Sequence, residues 1–228
     1  MINPLAPLTA TEIEKAVEIF RREHGDERAV FCSSGLDEPA KADVKAGRAV
    51  PRIVKFLGTD SVPDGGFEAY VNLAEDKVER LIRLGDDAQA PYGYYDLGAA
   101  VQLTKGNAEW LSAVKARGIA CDTKEDIERV QIDAWPAGGY AVDEIPVGHR
   151  AVRCIAFVRD DETDNGYARP IHGLICHVDI TAGQVVRVED SGVIPMPPNP
   201  GRFDAAHQER TRTDLKDLEI TQPDGPSF

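Results

Sequence analysis

The chain has 228 residues, 42% of them hydrophobic and 29% charged, and a formal net charge of −13. That length suits one large or two small domains, with enough chain for a real core in each. The acidity argues against nucleic acid and an anionic membrane face as partners, because a phosphate-binding surface needs clustered Lys and Arg.

Thr9 and Glu12 form a capping box, and Leu8, Ile13, Val17 and Phe20 recur at helical spacing until Gly25, so the pattern predicts a helix over 9–24. Residues 27–34 and 52–58 read as strands. Pro63, Asp64, Gly65 and Gly66 supply a turn into a strand over 67–73, and Glu75-Asp76 turns the chain into another over 77–84. One helix followed by four strands makes a compact α+β unit, with the helix buried on one face of an antiparallel sheet. The polar break at 85–93 (GDDAQAPYG) is a domain boundary, after which the order repeats. Helices are predicted over 97–103 and 107–117, the second with Trp110, Leu111 and Val114 apolar, followed by a strand over 126–133. Three further strands follow: the apolar run 151–158 and the alternating runs 174–180 and 184–190, paired as a meander with a tight turn at Ala182-Gly183. Alternation places Leu174, Cys176, Val178 and Ile180 on one face with Val186 and Val188, while Arg187 and Glu189 point outward. Beyond Gly192, Pro195, Pro197, Pro198 and Pro200 withdraw backbone donors, so 192–228 is expected to be extended and in need of a surface to lie on. The division expected is 1–88, 89–191 and a tail over 192–228.

The chain shows little chemistry of its own. GxSxG, GxxxxGK[ST] and GxGxxG are all missing, and the paired glycines 65–66 and 138–139 read as turns. Cys32, Cys121, Cys154 and Cys176 have no CxxC spacing; Cys154 and Cys176 can face each other across neighbouring strands, as buried thiols or, in an exported protein, as a disulfide. His172 and His177, read on one strand, point to opposite faces and share no ion, which leaves them and His149 as surface or satisfied histidines. The run 160–166 (DDETDNG) mimics a calcium loop, but its Gly falls one position late and Ile171 stands where a bidentate Glu is needed, so it reads as an acidic hairpin connection. With no leader before the first helix and no apolar run of membrane-spanning length, a cytoplasmic location is expected.

The segments 159–174 (RDDETDNGYARPIHGL), 188–200 (VEDSGVIPMPPNP) and 212–228 (RTDLKDLEITQPDGPSF), with the opening 4–19 (PLAPLTATEIEKAVEI), resemble the pre-catalytic amino-terminal region of copper- and topaquinone-dependent primary amine oxidases. The resemblance is collinear and spans essentially the whole chain. His172 departs from it, standing in PIHGL where the family motif usually has Glu. It implies two tandem cystatin-like domains, and a catalytic β-sandwich that follows the point where this sequence ends, in the same or a separate polypeptide. Catalysis in the family needs an Asn-Tyr-Asp/Glu motif, whose tyrosine becomes topaquinone, and three histidines on copper, two of them as His-x-His. Neither motif is present, since Gly93 precedes Tyr94-Tyr95-Asp96. No residue here is therefore assigned a catalytic or metal-ligating role; copper and topaquinone are expected in the partner catalytic domain, through which the family also dimerises. Further implications are Leu97, at a helix start, and Trp135 as lining of a substrate channel, and Leu215, Leu218, Ile220 and Phe228 as tail contacts that dock on the sandwich. Trp135 can equally be read as a core anchor at a strand end. Acidity serves solubility or steers cationic amines toward the assembled enzyme. The other reading is a stand-alone binding or regulatory module of the same fold.

Overall fold

The computed structural model describes residues 3–60, 66–85, 88–138, 142–208, 210, 212–223 and 225. Among them, the chain forms two four-stranded antiparallel sheets, each a meander in sequence order with helices on one face.

In the amino-terminal half, helix α1 (Ala10–His24) begins where Thr9 accepts from the Glu12 amide and Glu12 returns a carboxylate to the Thr9 amide, 2.8 Å away. It ends at Gly25, whose φ of +63° is the left-handed geometry that closes a helix. Its buried face, Ala16, Ile19 and Phe20, lies on the sheet β1 (Val30–Leu36), β2 (Ile53–Thr59), β3 (Gly66–Asn72) and β4 (Lys77–Arg83). β1 starts later than the expected 27–34, because Asp26 holds the chain in a turn by accepting from the Arg28 and Ala29 amides. A short helix, α2 (Lys41–Lys45), which the sequence pattern did not reveal, fills the connection to β2. The interior is aromatic: Phe20 stacks on Phe67 at 4.8 Å, and Phe31 meets Phe56 at 4.5 Å. The expected turn at Pro63, Asp64 and Gly65 lies outside the described residues.

In the carboxy-terminal half, α3 (Tyr94–Lys105) and α4 (Ala108–Ala116) cover the sheet β5 (Val130–Pro136), β6 (Ala151–Val158), β7 (Leu174–Asp179) and β8 (Gln184–Asp190). Trp110 and Val114 of α4 and Ala100 of α3 are buried against Val152, Cys154, Leu174, Cys176 and Val178. Burying side chains of this size contributes roughly 1.5–3 kcal/mol each. Three expectations need correction. Residues 124–129 are helical, not strand: Thr123 and Asp126 exchange hydrogen bonds in a capping box that starts α5 (Lys124–Arg129), and β5 begins only at Val130. α3 starts three residues before Leu97, because Asp96 accepts from the Gly93 amide at 2.9 Å. In β8 a bulge opposite His177/Val178 pairs Val178 with Val185, so Val185, not Val186, joins Val188 in the core.

Among the described residues no helix is long and apolar enough to cross a membrane.

Candidate functional site

β5 pairs with β6 alone, so its other edge is open, and α3 runs beside it. Between them lies a mainly apolar groove of about 620 Å³, walled by Leu97, Gly98 and Val101 on the helix and by Ile132, Ala134 and Trp135 on the strand. Local chemistry holds both walls. The α3 end is fastened by Arg150, whose guanidinium binds Asp96 at 2.7 Å, donates to the Ala90 and Pro91 carbonyls, and lies 4.1 Å from the Tyr92 ring centroid. Gln89 adds hydrogen bonds to the Gly148 and His149 carbonyls. On the strand, Asp133 accepts from the Tyr167 hydroxyl at 2.8 Å and from Gln131 at 3.2 Å. Donating to that carboxylate pushes the Tyr167 phenol above its ordinary pKa.

Leu97 and Trp135, far apart in sequence, therefore share one groove. Leu97 lies one turn into α3, not at its start. Trp135 is 57% exposed, so the core-anchor reading is corrected: it stands opposite Arg153, on the face of the sheet away from the helices, whereas its neighbour Ala134, opposite Cys154, packs on the core. It also borders a smaller cleft of about 260 Å³ with Arg153, Ile155 and Ile175 on the outer face of the sheet. Tyr94, 88% exposed at the rim, was missed by the sequence reading; its signal is the helical spacing Tyr94, Leu97/Gly98, Val101.

Among the described residues, no Ser, Thr, Cys, Lys or His lines the groove. Burial pushes the Cys154 thiol up to about 12 and raises Cys176, which disfavours the reactive thiolate. The two are directly opposed across β6 and β7, and both are free. His172 precedes β7 and is exposed; His177 is buried within it, with one ring nitrogen 3.2 Å from Glu189, and His149 sits 2.7 Å from Asp179. Copper does not fit this chain's residues: among those described, no group of three or more His, Cys, Asp or Glu can hold an ion.

The acidic connection between β6 and β7 holds the chain that leaves the sheet. Asp164 is buried and accepts from the Asp160 and Gly201 amides, at 2.9 and 2.7 Å, with Arg169 at 3.2 Å. Burial alone would raise its pKa, but these hydrogen bonds and the Arg169 charge outweigh it and hold the carboxyl below its usual range. The Asn165 amide returns a bond to the Gly201 carbonyl at 3.2 Å, while Arg202 donates to Thr163 and pairs with Asp161. Gly201 fits because a Cβ there would stand 2.6 Å from Ala168 Cβ. After this clasp a 3₁₀ turn, Ala205–His207, interrupts the expected extended run, capped by Asp204. Leu215, Leu218 and Ile220 are exposed, and Phe228 lies outside the described residues.

The sequence comparisons agree with the resemblance read from the motifs. Residues 95–205 match the family model described as copper amine oxidase, N3 domain. A primary amine oxidase of Arthrobacter sp. (strain P1) is 34% identical over 99% of this chain and 34% of its own length. A histamine oxidase of Arthrobacter globiformis is 30% identical over 99% of this chain and 33% of its own. The fold is similar to that of a copper-containing benzylamine oxidase from Hansenula polymorpha, with a TM-score of 0.73 at 15% identity, covering 100% of this chain and 38% of that one. This chain thus spans about a third of the length of the curated relatives it matches.

Proposed function

We propose, from the premise that residues 95–205 are a copper amine oxidase N3 domain, that this chain is the non-catalytic amino-terminal region or subunit of a copper- and topaquinone-dependent primary amine oxidase. Residues 1–88 and 89–191 serve as two cystatin-like domains, and 192–228 as a tail that docks on the catalytic domain through Leu215, Leu218, Ile220 and Phe228. Copper and topaquinone, held by that catalytic domain, supply the oxidation of a primary amine to an aldehyde, with release of ammonia and hydrogen peroxide.

This chain's own part is to bind and orient. The observation that carries the reading is that Leu97 and Trp135 line the same open-edged groove. Leu97, Val101 and Ile132 offer apolar contact to the carbon portion of an amine, while the exposed indole of Trp135 offers its face to the ammonium. The net charge of −13 raises the local concentration of cationic substrates. In the assembled enzyme, Trp135→Ala is expected to change the ratio of kcat/KM for benzylamine over methylamine by roughly tenfold, the scale of one lost aromatic contact. An unaltered ratio would remove the channel role.

The Asp164–Gly201 clasp favours a second reading, a stand-alone binding module, since it fastens 201–202 to the chain's own sheet. Limited proteolysis separates the two. Cleavage between 208 and 223 in the isolated chain, and protection once the catalytic domain is added, supports the docking tail; resistance in the isolated chain supports the module.

A further inference from the structure

The amino-terminal half, outside the residues matched to the N3 family model, carries a hollow of about 900 Å³ that the amine oxidase reading does not use. It lies between α1, α2 with the loop that follows it, and the Leu73–Ala74 turn after β3. Val44, Val50, Pro51 and Leu73 make its lining mainly apolar. Its size is that of a small-molecule site, which ordinarily joins an apolar lining to a few placed polar groups.

Its lining carries Lys15, Arg48 and Arg52 with one carboxylate, Glu12, while Asp43 and Asp76, outside the lining, pair with Arg48 and approach Lys15. Glu12 is already committed: it caps α1 and holds Arg52 at 2.6 and 3.1 Å, which brings its carboxyl down to about 2. Arg52 also donates to the Ala6 and Pro7 carbonyls, so four of its five donors are taken and this pair is a fixed wall. Lys15 is different. Its ammonium has three donors; one goes to the Leu73 carbonyl at 2.8 Å, and its carboxylate neighbour, Asp76, is 3.8 Å away and bound at 2.9 Å by Arg22. Arg48, paired with Asp43, stands exposed at the same hollow.

We propose that this hollow binds a small amphipathic carboxylate: the apolar tail lies on Val44, Val50, Pro51 and Leu73, and the carboxylate takes the uncommitted donors of Lys15, with Arg48 adjacent. A cation is disfavoured by the three basic side chains. A neutral apolar molecule fills the hollow but leaves Lys15 as it is, whereas a carboxylate gains a charge-assisted hydrogen bond beside an apolar surface.

Octanoate is the probe, titrated onto the full chain by calorimetry and by displacement of anilinonaphthalenesulfonate fluorescence. Saturable one-site binding is expected, weakened by about tenfold or more in Lys15→Ala, as for one lost charge-assisted bond. Lys15→Gln, which removes the charge but keeps a polar side chain of similar length, should show the same loss with an unchanged Tm, so a folding defect is not mistaken for a lost site. Lys77→Ala, on a lysine paired with Glu75 outside the hollow, should bind octanoate as the parent does. Absence of saturable octanoate binding, equal affinity in the parent and both Lys15 variants, or octanol binding as tightly as octanoate would each overturn the proposal. None of these outcomes bears on amine oxidation, so this site and the channel reading fail separately.

Discussion

The two halves share a plan, a four-stranded meander under helices, but close it differently. In the first, one amphipathic helix, capped at both ends, buries Phe20 into a cluster with Phe31, Phe56 and Phe67. In the second, two shorter helices cover a mainly aliphatic and thiol core, and the large aromatic side chains divide: Trp110 and Phe157 are buried, while Tyr94 and Trp135 remain exposed at the groove beside the open edge of β5. A sheet whose core is completed by Val, Leu and Cys can spare its aromatics for an exposed groove. The first half spends its own on stability.

The sharpest way to break this contrast is Phe67→Ala. Phe67 is fully buried and stacked on Phe20, so its truncation should cost the first half about 3–5 kcal/mol. Both tryptophans of the chain lie in the second half. Tryptophan fluorescence should therefore keep its denaturation midpoint while far-UV circular dichroism acquires an earlier transition; a parallel shift of both signals would mean that the halves do not unfold separately. Asp164→Ala comes next. It strips the partner from the buried Gly201 amide and leaves Arg169 with Asp160 alone, for an expected cost of about 1–3 kcal/mol confined to the clasp. Hydrogen exchange should rise at 164–165 and 201–202 and stay unchanged in α1.

Acid sharpens the comparison further. The folded-state pKa of Glu12 is depressed from 4.5 to about 2, so its contribution is fully present above the unfolded value and is lost as pH falls from about 4.5 toward 2. Across that window α1 should lose stability by roughly 1–2 kcal/mol, the scale of a helix cap; Glu12→Gln should flatten the dependence, read as Tm against pH. The smallest stability effect belongs to Trp135→Ala. An indole on an open edge carries little of the fold, so a change within about 0.5 kcal/mol is expected, against the large change in amine preference that the channel role requires. A loss of several kcal/mol would contradict this exposed position.

Much of this fold was legible because its signals are local. The Thr9/Glu12 box fixes α1, and the continuous apolar run 151–158 and the alternation over 184–190 coincide with β6 and β8. The misreadings arose where one local signal concealed another or where the cause is distant. The Thr123/Asp126 box was available in the sequence, but Ile127 and Val130 gave its helix the look of a strand. The Asp96 carboxylate that caps α3 at Gly93 is held by Arg150, more than fifty residues on, and Val185 enters the core through a bulge that periodicity alone does not encode. Of the candidate site, Leu97 and Trp135 came from family resemblance, and only the fold places them on one groove. Tyr94 was readable from helical spacing once α3 was known to reach it. The Asp164–Gly201 contact spans thirty-seven positions, with no pattern between its partners.

The division of labour, with wall and scaffold here and redox chemistry elsewhere, is tested most directly by supplying the purified chain with benzylamine, dioxygen and copper(II) and following hydrogen peroxide. No peroxide above the copper-only blank is expected from this chain, and turnover should appear once a catalytic domain is added. Sustained peroxide and benzaldehyde production by this chain alone would contradict the account.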